Sequence, residues 1–406
     1  MTHPKMRYTY VGVDSHKDTH TAVFLDCFFE KLGAITFQNR PSHFDAFLDD
    51  AQQYLQDGTT FMFGLEDTAS YGRTLTAFLN KNEQAVKHVN SLLVAKERKN
   101  QTVTQKTDNI DAECAARVLL SRFSDLPNAT THDDYWVLRM LVLRRGTIIK
   151  SNKILKSQLH TVLTQHYPAY RSYFENIDYK TSLTFFMKYP SPQTLQGVTV
   201  EELTAMLELH SRKTLREPKA RQILSTLEDT AVEMQHIRDI TVQSIIRQIQ
   251  FNQSEQKDIE ETLAQVLDGF GTTLTTMRGI DTVSAAQLLS CIGDINRFAS
   301  PAKLAKYAGI APTTYSSGKS DMQFANQRGN RELNHLFYNL ALRVTIVASA
   351  KRVVLNSFFH DYYHKKLSEG KTKRQALKCV QRRLVNIIWN MLKYGSDYQN
   401  PDKIVP

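Results

Sequence analysis

The sequence predicts an α/β domain followed by a helical remainder, and three observations predict it. Short apolar runs with β-branched and aromatic residues alternate with helical periodicity over residues 1–127. From residue 128 the strand signals fade and long Leu/Ile/Val helical patterns take over. Positive charge then collects at the end: residues 1–127 carry a net of −2, residues 128–270 a net of 0 and residues 271–406 a net of +12. At 406 residues the chain is too long for one small core. The expected divisions are therefore 1–127, 128–270 and 271–406.

The first strands are expected at Arg7 to Val13, Thr19 to Cys27 and Gly33 to Phe37. Pro41 opens a helical stretch with Phe44, Phe47, Leu48 and Ala51 at helical spacing. Thr60 to Leu65 is short enough for a buried strand, a helix follows from Tyr71 to Leu79, and Ala85 to Val89 is a fifth strand. Ser91 starts one helix and Asp108 another, carried by Ala112, Ala115, Ala116, Leu119 and Leu120. Three strands, helix, strand, helix, strand, helix is the order of an RNase H-like fold.

From Tyr135 to Gln265 the chain reads as helical, with an interruption near Tyr189-Pro190-Ser191-Pro192 and a helix-forming run from Ala220 to Phe251. Zero net charge and an apolar stripe suit either a dimer-forming coiled-coil-like hairpin or an intramolecular bundle. In the last segment Met277-Arg278-Gly279-Ile280-Asp281-Thr282 has the form of a helix-hairpin-helix entry, whose glycine turn aims N–H groups at a phosphate. It is equally a plain helix start with Asp281 or Thr282 as N-cap. Helices are expected at 301–308, 330–349 and 372–394. The last carries Lys373, Arg374, Lys378, Arg382 and Arg383 around Ala376, Leu377, Leu384 and Ile387.

Chemistry concentrates at two places. Asp14 closes the first strand, Glu66 ends the strand expected beside it, and Asp108 and Asp111, spaced i, i+3, share one helix face. Each like-charged pair about 4 Å apart costs roughly 4 kcal/mol at an effective dielectric near 20, so protons or cations have to neutralise the group. Oxygen ligands select Mg²⁺ or Mn²⁺, and two such ions can clamp both oxygens of a phosphodiester exchange. The bland alternative for each acid is a turn or N-cap residue. The second place is Tyr315-Ser316-Ser317-Gly318-Lys319, read as an exposed turn in the most basic third of the chain, near Arg328 and Arg331. A serine hydroxyl needs activation to attack, and either Ser316 or Ser317 is available.

The four cysteines, Cys27, Cys114, Cys291 and Cys379, show no CxxC pairing and suggest a reduced cytosolic protein without a zinc site. No signal peptide or membrane span is expected, and the basic last third points to a polyanion partner. A water-using metal nuclease such as a junction resolvase, and a non-enzymatic nucleic-acid binder, remain open on these residues alone.

GVDSHKD, GLEDTASYG, KTDNIDA, MRGIDTVSA, FASPAKLAKYAGIAP, YSSGKS and RGNREL, in this order, resemble the DEDD transposases of bacterial insertion sequences of the IS-one-ten type, the bridge-RNA-guided recombinases. The resemblance covers the first 120 residues and residues 277–340. It implies a RuvC-like nuclease domain with Asp14, Glu66, Asp108 and Asp111 holding magnesium, and a C-terminal transposase domain with Ser317 as nucleophile. It further implies a 5′-phosphoserine intermediate, double-stranded donor and target DNA chosen by a structured guide RNA, and dimers assembling into tetramers; the scattered cysteines and the lack of signal or membrane segments suggest a cytoplasmic or nucleoid-associated protein. Lys319, Arg328, Arg331, Lys373, Arg374, Arg382 and Arg383 are the expected nucleic-acid contacts.

Overall fold

Alternation along the first strands decides the architecture of the N-terminal unit. The computed structural model describes residues 3–66, 71–101, 105–129, 133–167, 169–211, 213–227, 234–317, 320–324, 326, 329–345, 347–348 and 353–400, with backbone alone at 133, 166, 314–317, 320–323, 347–348 and 353. The chain divides into two compact units, residues 1–136 with 294–299, and residues 137–293 with 300–406.

In the first unit β1 (Tyr8–Ser15), β2 (Thr19–Leu25), β3 (Lys31–Gln38), β4 (Thr60–Leu65) and β5 (Ala85–His88) form one sheet in the order β3-β2-β1-β4-β5. β1, β2 and β3 are antiparallel neighbours, whereas β4 lies parallel to β1 and β5 parallel to β4. Four helices complete it: α1 (Phe44–Ala51), α2 (Arg73–Lys81), α3 (Ser91–Asn100) and α4 (Asp108–Arg122). Successive strand side chains point to opposite faces, and both faces of β1 are buried. Val11, Val13, Phe24, Phe61, Phe63 and Leu65 pack with Phe44 and Phe47 of α1 and Leu75 and Leu79 of α2. Tyr10, Val23, Leu25 and Met62 pack with Ala112, Ala115, Ala116 and Leu119 of α4 and Val94 of α3. The sheet is thus sandwiched between α1/α2 and α3/α4, and the element order is the one the periodicity predicts. β1 runs two residues further than expected, so Asp14 lies inside the strand.

The second unit takes in most of α5 (Asp133–His166), then α6 (Tyr170–Tyr173), α7 (Lys180–Lys188), α8 (Val200–Ser211), α9 (Glu217–Ser225) and α10 (Gln235–Gly269). Leu159, Leu163, Tyr167, Phe185, Phe186, Leu203, Leu207, Ile223, Val242 and Ile246 form its aromatic-rich core. α5 and α10 run antiparallel: Arg145 Nε donates to Glu260 Oε1 at 2.7 Å, and Asn252 Nδ2 to Asn152 Oδ1 at 2.9 Å. The two helices thus pair with each other within the chain. The expected continuous helix from Ala220 to Phe251 is not formed. α9 closes at Ser225, where Thr226 Oγ1 donates to the carbonyls of Gln222 (3.1 Å) and Ile223 (3.0 Å), and Met234 at φ 58° starts α10 afresh.

The unit continues with α11 (Thr282–Ile292), α12 (Pro301–Tyr307), the hairpin β6 (Thr313–Ser317) and β7 (Ser320–Phe324), α13 (Arg331–Thr345), a two-residue ladder of β8 (Val347–Ala348) with β9 (Val353–Val354), α14 (Ser357–Ser368) and α15 (Lys373–Tyr394). α15 is the hub, packing against α12, α13 and α14 through Ala376, Leu377, Val380, Leu384 and Ile388. The helix expected over 330–349 stops at Thr345, whose hydroxyl donates back to the Ala341 carbonyl at 2.7 Å, and Val347–Ala348 are strand.

Candidate active site

The parallel register of β1 and β4 sets the site. Gly12 pairs with Gly64 and Val13 with Leu65, so Asp14 and the residue after β4, Glu66, emerge side by side at the same sheet edge. Gly12 then controls what lies above them. A Cβ at Gly12 would stand 2.1 Å from the Ala112 carbonyl oxygen and 2.2 Å from the Ala116 nitrogen, so the α4 backbone rests directly on the strand. This approach delivers the first turn of α4, with Asp108 and Asp111, over the strand ends. Thr107 is the helix N-cap, accepting from the Ile110 N–H at 3.3 Å, so the N-cap alternative for Asp108 does not hold and its carboxylate is free for other partners.

His16 is the residue the sequence reading passed over. Its Nε2 lies 3.2 Å from Asp14 Oδ2 and 3.2 Å from Asp108 Oδ1, bridging the two carboxylates. Among the described residues Asp14, His16 and Asp108 form the one group of such side chains able to share a cation, their ligand atoms all within 4.8 Å of one another. Asp111 is not part of that group. Its carboxylate accepts from Arg98 Nη1 of α3, and Lys106 Nζ lies 4.0 Å away. Glu66 is also outside it, yet near enough to act electrostatically. Burial first pushes the Asp14 carboxyl above the usual carboxylate range. His16 pulls it down, and Asp111, Asp108 and Glu66 each push it further up. All four acids therefore share one electrostatic neighbourhood, with Arg98 as an internal counter-charge and His16 bridging two of them. The neighbouring acid Glu113 instead pairs with Arg117 (2.9 Å) and Lys31 (3.4 Å).

The serine segment differs from its expectation. Ser316 and Ser317 belong to β6 rather than to a turn, pairing in register with Asp321 and Ser320 across a two-residue connection. Lys319 and Arg328 lie outside the described residues, as do the side chains of Ser316 and Ser317. Arg331 and Arg374 line a groove of about 550 Å³ together with Lys378. Lys373 is exposed at the first turn of α15. Arg382 donates to the Pro301 carbonyl at 3.3 Å, and Arg383 lies over the rings of Phe358 (5.6 Å) and Tyr362 (5.9 Å). At the expected phosphate-directed turn, Asp281 caps α11, accepting from the Ser284 N–H at 2.7 Å and from Arg343 at 3.0 Å. The chain's own carboxylate fills that helix N-terminus, so the N-cap alternative holds there and the phosphate-directed one is set aside.

Comparison with known proteins assigns the chain to a family. A model of DEDD transposases of the IS110 type matches residues 11–168, spanning all four acids and His16. A second, described as transposase of the IS116/IS110/IS902 family, matches residues 271–360, and the two together cover more than half of the chain. The chain belongs to this transposase family. It is 25% identical over 393 residues to an uncharacterized 44.8 kDa protein of insertion element IS116 from Streptomyces clavuligerus, covering 95% of this chain and 94% of that one. An uncharacterized 42 kDa protein of insertion element IS900 from Mycobacterium paratuberculosis is 22% identical over 400 residues, 96% of each chain. A pilin gene-inverting protein of Moraxella bovis is 28% identical over 130 residues, 31% of this chain and 37% of that one. The transposase is therefore a DNA-processing enzyme of an IS110-family insertion element, with a domain type that suggests divalent metal use. Among its described residues no helix is long and apolar enough to cross a membrane.

Proposed function

We propose that this transposase exchanges DNA strands through a serine–DNA intermediate, with the acids of its RNase H-like (RuvC-like) N-terminal domain as the metal centre. The observation that carries the reading is the convergence of Asp14, Asp108 and His16 within 4.8 Å, with Glu66 and Asp111 in the same electrostatic neighbourhood.

The donor chemistry fits a divalent cation. Carboxylate oxygens from two strand ends and one helix turn are hard ligands that suit Mg²⁺ or Mn²⁺, and gathered carboxylates repel one another without a cation. Asp14, Asp108, Glu66 and Asp111 would hold it. When bound, such an ion supplies positive charge to the phosphoryl oxygens as charge builds in the transition state. The protein's own part is to fix the carboxylates on a sheet edge, where the β1–β4 register and the α4 contact leave them little freedom. Arg98 offsets part of their charge, and His16 bridges Asp14 and Asp108.

Ser317, at the hairpin end, is the proposed nucleophile, with Ser316 beside it. A bond forms from the serine oxygen to phosphorus as the bond from phosphorus to the 3′ oxygen breaks. The serine proton is given up, and the departing 3′ oxygen takes one. The phosphodiester energy is kept in a 5′-phosphoserine bond, so a different 3′-OH can reverse the step and complete the exchange. The sequence choice is assigned to a structured guide RNA. The working assembly is a dimer that builds to a tetramer on nucleoid DNA, the 1–127, 128–270 and 271–406 segments serving as nuclease, dimerisation and transposase domains. Lys319, Arg328, Arg331, Lys373, Arg374, Arg382 and Arg383 would meet the two polyanions.

The test is a covalent adduct. Full-length protein, the structured RNA flanking its reading frame and end-labelled duplex DNA should give an SDS-resistant band that needs Mg²⁺. Ser317→Ala should abolish it. Loss in Ser316→Ala with retention in Ser317→Ala would move the nucleophile by one residue, and retention in both would end the serine mechanism.

A further inference from the structure

The groove lined by Arg331 and Arg374 is built in a way the general basic character of the C-terminal segment does not explain. Its floor is two glycines pressed together. A Cβ on Gly329 would lie 2.2 Å from the Gly309 nitrogen, and Gly309 itself has φ +66°. Only glycine lets these backbones touch. The join is pinned by the Asn330 N–H to the Tyr307 carbonyl (2.7 Å) and Asn334 Nδ2 to the Ala308 carbonyl (2.8 Å). It brings the start of α13 against the end of α12, with the first turns of α15 alongside.

Three cations enter the space so formed: Arg331 from α13, and Arg374 and Lys378 from α15. Among the described residues no Asp or Glu lines it. Among the described residues none of the three cations has an ion-pair partner, and Glu332, next to Arg331, is committed to Arg139 at 2.6 and 2.8 Å. Lys378 Nζ donates to the Gly309 carbonyl at 3.4 Å, on the groove floor. Burial, and then the charge of Arg374, hold the Lys378 ammonium below its ordinary pKa. Like charges gathered without a counter-ion destabilise the free protein, and an anion seated among them removes that cost. His335 and Tyr338 on the next turn of α13 add a hydrogen-bonding ring and an aromatic face to the same wall.

Resting on the transposase reading above, we infer that this groove seats a backbone phosphate of a nucleic-acid strand, held by Arg331, Arg374 and Lys378. The groove lies at the foot of the β6–β7 hairpin: Gly309 precedes β6 and Asn326 follows β7. At about 3.3 Å per residue, the backbone of Ser317 stands about 13 Å from Thr313 at the hairpin's foot. A phosphate gripped here fixes a strand several nucleotides from the one presented to the hairpin end, which makes the groove a register clamp for the bound strand.

Salt dependence reads this directly, because each phosphate contact contributes about 0.9 to the slope of log K against log salt for duplex DNA and about 0.7 for single strands. Binding of fluorescent duplex DNA, single-stranded DNA and RNA of the same sequence is measured with the full-length chain. Arg331→Gln/Arg374→Gln should lower the slope by up to about 0.9 on duplex, or about 0.7 on a single strand, with Tm not lowered. The equal charge loss of Arg238→Gln/Arg247→Gln on α10 should leave it in place. A fall confined to DNA or to RNA names the strand that occupies the groove, and a fall with both means a backbone clamp without discrimination. An unchanged slope on every probe, or an equal fall in the α10 variant, overturns the inference. Wild-type protein that shows this groove-dependent slope yet yields no covalent adduct would retire the serine mechanism and leave the groove standing.

Discussion

Gly12→Ala is the sharpest structural test of how the acidic site is assembled. The added methyl would meet the Ala112 oxygen at 2.1 Å and the Ala116 nitrogen at 2.2 Å, and both are backbone atoms that no rotamer change can move. Ordinary contact needs about 3.5 Å, so α4 has to retreat by roughly 1 Å or more. Overpacking of this kind costs about 1–3 kcal/mol. The functional effect is expected to be larger, because the displaced helix carries Asp108 and Asp111, and a shift of about 1 Å near a reacting centre costs on the order of 10²-fold. Melting by circular dichroism and Mg²⁺-dependent cleavage of labelled DNA measure the two effects separately. Gly64→Ala, which meets only the side chains of Val89 (2.9 Å) and Leu119 (3.1 Å), should be milder on both. Wild-type melting and cleavage in Gly12→Ala would show that the α4–β1 approach does not position the acids.

Three further outcomes follow from the same geometry. Arg98→Ala removes the internal cation from Asp111, whose side chain is only 10% exposed; the cation-free protein should lose about 1–3 kcal/mol of stability, and Mg²⁺ should restore part of it, read as Tm in EDTA against Mg²⁺. Arg139 holds the Glu332 carboxyl below the usual range through hydrogen bonds, against an opposing burial effect. That contribution is present above the unfolded carboxylate pKa of about 4.3 and is lost as pH falls through the depressed folded value, so the Tm advantage of wild type over Glu332→Gln should vanish on acidification. Gly146→Ala, on α5 with nothing within 4 Å of the new methyl, should be neutral or stabilise by up to about 1 kcal/mol in chemical denaturation.

The first unit was legible because its signals are local. Thr60 to Leu65 is an apolar run flanked by turn residues, and its predicted and observed bounds coincide. Asp108 opens a helix whose alanines and leucines repeat at helical spacing. Four acids could be proposed for one sheet edge because strand and helix phases fix which residues share a face. His16 and Arg98 were not legible. Their roles depend on which elements stand opposite them, and periodicity carries no record of polar pairs formed across the fold. The signal for His16 was present in GVDSHKD, two residues past an acid at a strand end, but only the crossing of α4 brings Asp108 to its other side. Serine and glycine favour turns, so the local sequence predicts a turn at Ser316 and Ser317; pairing with residues 320–324 makes them strand. The glycines of AKYAGIAP and RGNREL gave no hint in sequence that each exists to touch the other.

The carboxylates at the ends of β1 and β4, under the first turn of α4, are proposed to hold a divalent cation. Anomalous diffraction from crystals of the full-length protein grown with Mn²⁺ tests this most directly. The account requires an anomalous peak about 2.0–2.2 Å from carboxylate oxygens of Asp14 and Asp108, with the Arg98 contact to Asp111 loosened, and no peak in Asp14→Asn crystals. Well-ordered crystals with Mn²⁺ in excess, no peak at this edge, and His16 still bridging Asp14 and Asp108 would contradict it.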